Sequence, residues 1–250
     1  MNAQWQNRFA VFVISLVVGW STTPGTSRRG AGLSEPAEHA AFSAEPGLDL
    51  AFERNEGQHA AGVRYFARGP GYAVWLFDSA VMLTLRDQGD ASVRLTMRFA
   101  QGDAPAGEAP LAGKPNYFLG RDDMLWRTNV PLYGRVRYRA VVPGIDLTFS
   151  GRDQRLEYGV VIKPGSDPRR VRIAFEGADR IQVNRDGGLS VAVLDRELQY
   201  SRPVAYQQCG GHRLAIDIRY VVEGLTVSYD AAPYDQSQEL VIDPVLIVSR

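Results

Sequence analysis

Few side chains in this sequence are spaced for chemistry, and the carboxylates come first. Asp146 and Glu157 fall on consecutive expected strands, where they could be neighbours. Glycoside hydrolysis needs such a pair, about 5–5.5 Å apart for retention or about 6.5–9.5 Å for inversion. The commoner use of two such residues is as solvated charges balanced by cross-strand arginines. Arginines are the next candidates. Arg135, Arg137 and Arg139 share one strand face, and Arg94 and Arg98 share another. If those strands adjoin, they make a positive patch suited to an acidic polysaccharide. Trp75 and Trp126 are candidate platforms for sugar rings, unless they fill the core.

Other catalytic signatures are missing. The sequence holds no Gly-x-Ser-x-Gly, His-Glu-x-x-His or Cys-x-x-Cys. Gly107 to Lys114 superficially resembles a phosphate loop. Its glycine spacing is one residue too long, however, and Pro115 stands where a magnesium-ligating Ser or Thr belongs. Cys209 is the only cysteine, so no intramolecular disulfide can form. His212 lies three residues beyond it, across the turn-like Gly210-Gly211. His39, His59 and His212 sit in linker or turn contexts without metal-ligand spacing and read as solvated surface residues. Neither a cofactor nor a metal site is expected.

The elements that would position these residues are strands. Val93, Leu95, Met97 and Phe99 alternate with polar residues, as do Val136, Tyr138 and Ala140, then Ile145, Leu147 and Phe149, then Leu214, Ile216, Ile218 and Tyr220. Successive strand side chains point to opposite faces, so each run offers one face to a core and the other to water, the habit of antiparallel sheets. Asp186-Gly187-Gly188, Gly210-Gly211 and Glu223-Gly224 are placed as hairpin turns. The spacing predicts about fifteen short strands and an all-β, antiparallel, sandwich-like domain over residues 47–250. It would form either one large sandwich or two packed β subdomains, with 101–115, rich in Gly, Pro and Ala, as the best internal break. Asp122 to Trp126 could form one helical turn.

Composition narrows the function classes. The chain has 250 residues, 45% hydrophobic and 22% charged, with 28 basic and 28 acidic side chains and no net charge. That balance disfavours nucleic acid or an anionic membrane surface as partner. Lysine occurs only at Lys114 and Lys163. Arg8 followed by the apolar run Phe9–Trp20 has the layout of a secretory signal or N-terminal anchor. As a helix the run spans about 18 Å, short of a bilayer core of about 30 Å. Residues 21–46 read as a flexible linker. A secreted, cell-surface or periplasmic location is expected, with no transmembrane domain beyond the N-terminal segment.

Several strings mix Asn, Gly, Pro and aromatics in ways that fix loop shape. They are Asn55-Glu-Gly-Gln58, Asn116-Tyr-Phe-Leu-Gly120, Trp126-Arg-Thr-Asn-Val-Pro131 and Pro143-Gly-Ile-Asp146. With Tyr65–Tyr72, Leu156-Glu-Tyr158, Pro164–Pro168, Phe175–Asp179 and Leu240–Pro244, they run in collinear order over about residues 48–248. In this the chain resembles the N-terminal domain of unknown function that precedes SBBP (β-propeller) repeats in large secreted bacterial proteins. The resemblance implies a β-rich extracellular or cell-surface module, partnered by a propeller or a surface glycan or protein, with no catalytic residues to carry over. It breaks at Gly159, where Asp is expected after Leu-Glu-Tyr. The expected function is thus a non-catalytic structural or binding module. The alternatives are a carbohydrate-binding module or a glycan-active enzyme using Asp146 and Glu157.

Overall fold

The computed structural model describes residues 50–86, 92–118, 124, 126–243 and 246–248. The expected signal (1–20) and linker (21–46) lie outside the described residues, as does most of the helical turn expected over Asp122–Trp126. Every described residue falls within one compact unit, and none is α-helical.

The strands follow in chain order: β1 (Phe52–Arg54), β2 (Tyr65–Gly69), β3 (Tyr72–Leu76), β4 (Ala80–Arg86), β5 (Ser92–Arg98), β6 (Ala106–Leu111), β7 (Leu132–Val142), β8 (Ile145–Arg152), β9 (Arg155–Ile162), β10 (Ile173–Glu176), β11 (Arg180–Val183), β12 (Leu189–Val193), β13 (Arg196–Tyr200), β14 (Val204–Cys209), β15 (His212–Ile216), β16 (Ile218–Glu223), β17 (Thr226–Ala231), β18 (Leu240–Asp243) and β19 (Leu246–Val248). Fifteen form one sheet in the order β15-β14-β18-β9-β8-β7-β1-β2-β3-β4-β5-β10-β17-β16, with β6 paired on β7. The other four form the sheet β11-β12-β13-β19. Every pairing is antiparallel, as the alternation predicts.

The three glycine turns close the β11–β12, β14–β15 and β16–β17 hairpins. Two details go beyond the pattern. The Ala106–Leu111 stretch of the expected 101–115 break is strand β6, which pairs with β7 in continuous register although Ala109 within it has a φ of +52°. The Leu214–Tyr220 run is two strands, not one. Asp217 separates β15 from β16, its carbonyl accepting from the Ala232 N–H and its carboxylate pairing with Arg202. Periodicity continues across the break, so the pattern hides it. Leu214 is consequently 56% exposed, although it keeps the apolar phase.

That break also defines the architecture. β15 and β16 are the two ends of the large sheet, yet only Asp217 lies between them, so the ends stand within about 7 Å of each other. The sheet therefore folds back on itself and encloses its inner face. Phe52, Val74, Leu83, Leu95 and Met97 fill that interior with Tyr138, Leu147, Phe149 and Tyr158, all essentially buried. At about 1.5–3 kcal/mol per large apolar side chain, this burial drives the fold.

The interior has a polar seam of tyrosines. The Tyr158 and Tyr229 hydroxyls are 2.7 Å apart and buried, and the Tyr220 hydroxyl donates to the Ser201 carbonyl at 3.0 Å. Burial pushes Tyr158 and Tyr229 well above the ordinary tyrosine range, so both remain neutral donors. Replacing Tyr229 with Phe removes one member of the pair. The expected loss is about 1 kcal/mol, read from urea unfolding at unchanged m-value. An unchanged midpoint would show that the pair contributes nothing.

Candidate functional site

The candidate residues separate into an aromatic cluster and a charged one. Phe66 and Trp75 face each other across β2–β3, and Glu53 stands opposite Phe66 on β1. The loop after β1 folds onto this row because Asn55 organises it. Its amide donates to the carbonyls of Val63 (2.8 Å) and Ala60 (3.2 Å), and its Oδ1 accepts from Gly57 (3.0 Å) and His59 (3.1 Å). Arg127 ties the loop down from the other side, its Nε donating to the Glu56 carbonyl at 2.8 Å. His59 is thereby carried onto Phe66, Trp75 and Tyr117, at ring-centroid distances of 4.5, 5.3 and 5.9 Å.

His59 is therefore not the solvated residue expected of a turn. Its Nε2 is buried without a hydrogen-bond partner, and Trp75 beneath it is half-buried. Burial first, then the nearby Arg68 charge, lowers the His59 pKa. Glu53 hydrogen-bonds the Tyr117 hydroxyl, and burial raises the pKa of both. Protonating His59 places a charge where no acceptor waits. A folded-state pKa below the ordinary value of about 6.5 means its stabilisation is present above that pH and lost as pH falls through the folded value. Glu53 acts in the opposite direction, gaining stability as pH falls towards about 4.5. Thermal melts from pH 7.5 to 5 should thus decline for the parent chain and flatten for His59→Phe. Parallel curves would show that His59 does not sense pH.

Trp126 lies apart from Trp75's cluster contacts. It is 41% exposed and meets Phe118 edge to face at 5.1 Å, with Phe118 itself 63% exposed. This pair is the accessible aromatic surface among the candidates.

Arg135, Arg137 and Arg139 do share one face, but not as a free patch. Glu108 on β6 sits among them. Its carboxylate is 2.8 Å from Arg137 Nε, an ion pair out of line for a hydrogen bond, and 3.9 and 3.8 Å from Arg135 and Arg139. Arg94 and Arg98 lie on β5, away from β7 in the sheet order, and Arg98 forks onto Glu176 at 2.6 and 3.0 Å. The two arginine rows do not merge.

Asp146 is not solvent-facing. It is 2% exposed, and its Oδ1 accepts from the Ala140 N–H at 2.9 Å. Arg137 and Lys163 lie 3.5 and 3.4 Å from its oxygens. Ala140 has a φ of +49° within the register shift of β7 against β8, so the carboxylate pins an irregular turn of chain. Glu157 faces Arg152 at 3.6 Å. The register pairs Asp146 with Val161 and Glu157 with Ser150, four residues apart along the strands. That is about 13 Å, outside the spacing that glycoside hydrolysis uses.

Sequence reasoning missed a repeated device in the polar strings. Asp146 holds the N–H of Ala140, Asn116 that of Asn129 (2.8 Å, φ +58°), and Asp179 that of Leu194 (2.6 Å, φ +55°). Each Asx side chain satisfies a backbone donor at a left-handed non-glycine residue, a conformation that costs of order 1–3 kcal/mol. The signal was present as Asn and Asp within turn-like strings, but their long-range targets were not legible. Among the described residues there is no group of His, Cys, Asp and Glu suited to a metal, and no helix long and apolar enough to cross a membrane.

No curated protein and no solved structure matches the chain. The family model that does match covers residues 52–245, nearly the whole β structure, and the strings that pin its turns fall within it. The chain belongs to the family described as a domain of unknown function, DUF7948.

Proposed function

We propose that this chain is a non-catalytic structural and binding module of an exported bacterial protein, one that stands before β-propeller repeats and holds them at the cell surface or in the periplasm. One observation carries the reading: Asp146, the candidate carboxylate, is consumed in pinning strained backbone, as Asn116 and Asp179 are elsewhere. Two more support it. The basic-then-apolar N-terminal segment suits export. β19 is paired with β13, so anything joined beyond it starts from a fixed strand. The test joins the full chain to SBBP-type repeats and compares thermal unfolding with that of the separate pieces. A raised melting temperature of the repeats is expected, and identical melts would remove the capping role. Export is read separately, from the activity of an alkaline phosphatase fused after the Phe9–Trp20 run.

The exposed Trp126–Phe118 pair favours a second reading, carbohydrate binding by stacking. It predicts quenching or a blue shift of tryptophan emission with neutral oligosaccharides, abolished in Trp126→Ala. Silence across a glycan array would end it.

A further inference from the structure

The arginine face ends in a cavity of about 340 Å³ bordered by β6, β7, β8 and β9. Its shape follows from two local features. Ala109 takes a left-handed φ of +52° within β6, and Gly134 beside it brings no side chain to the lining. Leu111, 42% exposed, supplies the apolar wall over the buried Leu50, while Arg135, Arg152 and Glu157 supply the polar one.

The guanidiniums here differ from those elsewhere on the sheet. Arg64 grips Asp78 with two bonds of 2.8 and 3.0 Å, Arg98 does the same to Glu176, and Arg219 puts both its Nε and Nη2 on Asp230. Such forked pairs leave little charge to offer. At the cavity the ion pairs are loose. Arg135 is 3.9 Å from Glu108, which Arg137 already occupies, and Arg152 is 3.6 Å from Glu157. Their side chains are 49% and 74% exposed, so both can reorient without disturbing the fold. Around the face, Arg135, Arg137, Arg139, Arg152, Lys163 and Arg213 outnumber Glu108, Asp146, Glu157 and Asp243, the last of which lies near enough to feel Arg135, Arg152 and Arg213.

We infer that this cavity binds a hexuronate residue of an acidic polysaccharide. Arg135 and Arg152 take the carboxylate, the exposed Leu111 takes the apolar C–H face of the ring, and Glu157 accepts from a ring hydroxyl. The Glu157 carboxylate disfavours a bare dianion such as sulfate, which brings two charges and no donor to that wall. The assignment needs neither the propeller reading nor Trp126.

The test is titration calorimetry of the full chain with trigalacturonate, maltotriose, acetate and sulfate. Saturable, salt-sensitive binding is expected for trigalacturonate alone. Arg135→Ala and Arg152→Ala should each weaken it about tenfold, with Arg219→Ala unchanged. Arg135→Lys keeps the charge and loses the fork, so it should fall between parent and Arg135→Ala. Unchanged melting temperatures of these exposed-site variants would establish that folding is intact. The inference is overturned if trigalacturonate gives no saturable heat, if maltotriose binds as well, if acetate or sulfate binds as tightly, or if neither arginine variant weakens binding. Binding that depends on Trp126 but not on Arg135 or Arg152 would support the stacking reading and sink this one.

Discussion

Asp146→Ala should cost about 3 kcal/mol and lower the melting temperature by roughly 6–12 °C. Three losses coincide. The Ala140 N–H loses its acceptor within a left-handed bulge that the rest of β7 cannot relax without shifting register. Arg137, whose side chain is only 23% exposed, loses one of its two anionic neighbours, and Lys163 loses the carboxylate at 3.4 Å. A small cavity remains where the carboxyl was. Asp146→Asn keeps an oxygen for Ala140 but removes the charge, so it should cost clearly less. The ranking Ala worse than Asn distinguishes a backbone-pinning role from a purely ionic one. Equal effects would mean that the Ala140 contact contributes little, and a loss under about 0.5 kcal/mol for Asp146→Ala would contradict the pinning account.

How far the sequence showed this depends on the range of each interaction. Strand identity was legible because it is local. Val93, Leu95, Met97 and Phe99 are all buried, as their alternation requires. The hairpin glycines were legible for the same reason. Asp146 was misread because its alternation with Ile145 and Leu147 places it on the outer face, and only the bulge of a neighbouring strand covers that face. His59 was misread because a turn usually faces water. Here Asn55 and Arg127, the latter 71 residues from its Glu56 acceptor, fold the turn onto aromatics. The break at Asp217 was invisible because two strands at opposite ends of a sheet can share one phase. In each case the missing information is a contact between distant segments, which periodicity does not encode.

The same logic explains why site-like residues gave so little chemistry. An enclosed β structure with six non-glycine residues at positive φ among those described must satisfy the backbone donors at those corners. Short Asn and Asp side chains are suited to the task, and three of them perform it. Among the described residues, the features proposed above for recognition are the loosely paired arginine cavity and the Trp126–Phe118 pair.

Gly159 offers the sharpest remaining test, because the resemblance leads one to expect Asp there. The residue is buried in the middle of β9, opposite Thr148. A Cβ would lie 2.8 Å from Thr148 Oγ1 and 3.2 Å from Asp243 Oδ1, so the missing side chain is what lets those two oxygens converge over the strand. Asp243 as a whole is open to solvent, yet its carboxyl is partly desolvated against the sheet. That burial raises its pKa, opposed by Arg213 and by the Tyr206 hydroxyl. Gly159→Asp would force a side chain into occupied space and set a second carboxylate beside the first. The expected cost is about 3 kcal/mol near neutral pH, from overpacking and like-charge repulsion together. The repulsive part has a definite sign. Repulsion raises the folded-state pKa values, so stability is fullest below the ordinary carboxylate range and is lost as pH rises through the raised values. Gly159→Asp should therefore look least damaging near pH 4 and worst above pH 7, whereas Gly159→Ala, which carries only the steric component, should show a deficit independent of pH. Adding Thr148→Ala should recover at least about 0.5 kcal/mol in either background, because it removes the closest oxygen. If Gly159→Asp is as stable as the parent at every pH, then β9 and β18 can separate to admit the side chain, and the crowding described above does not constrain this position.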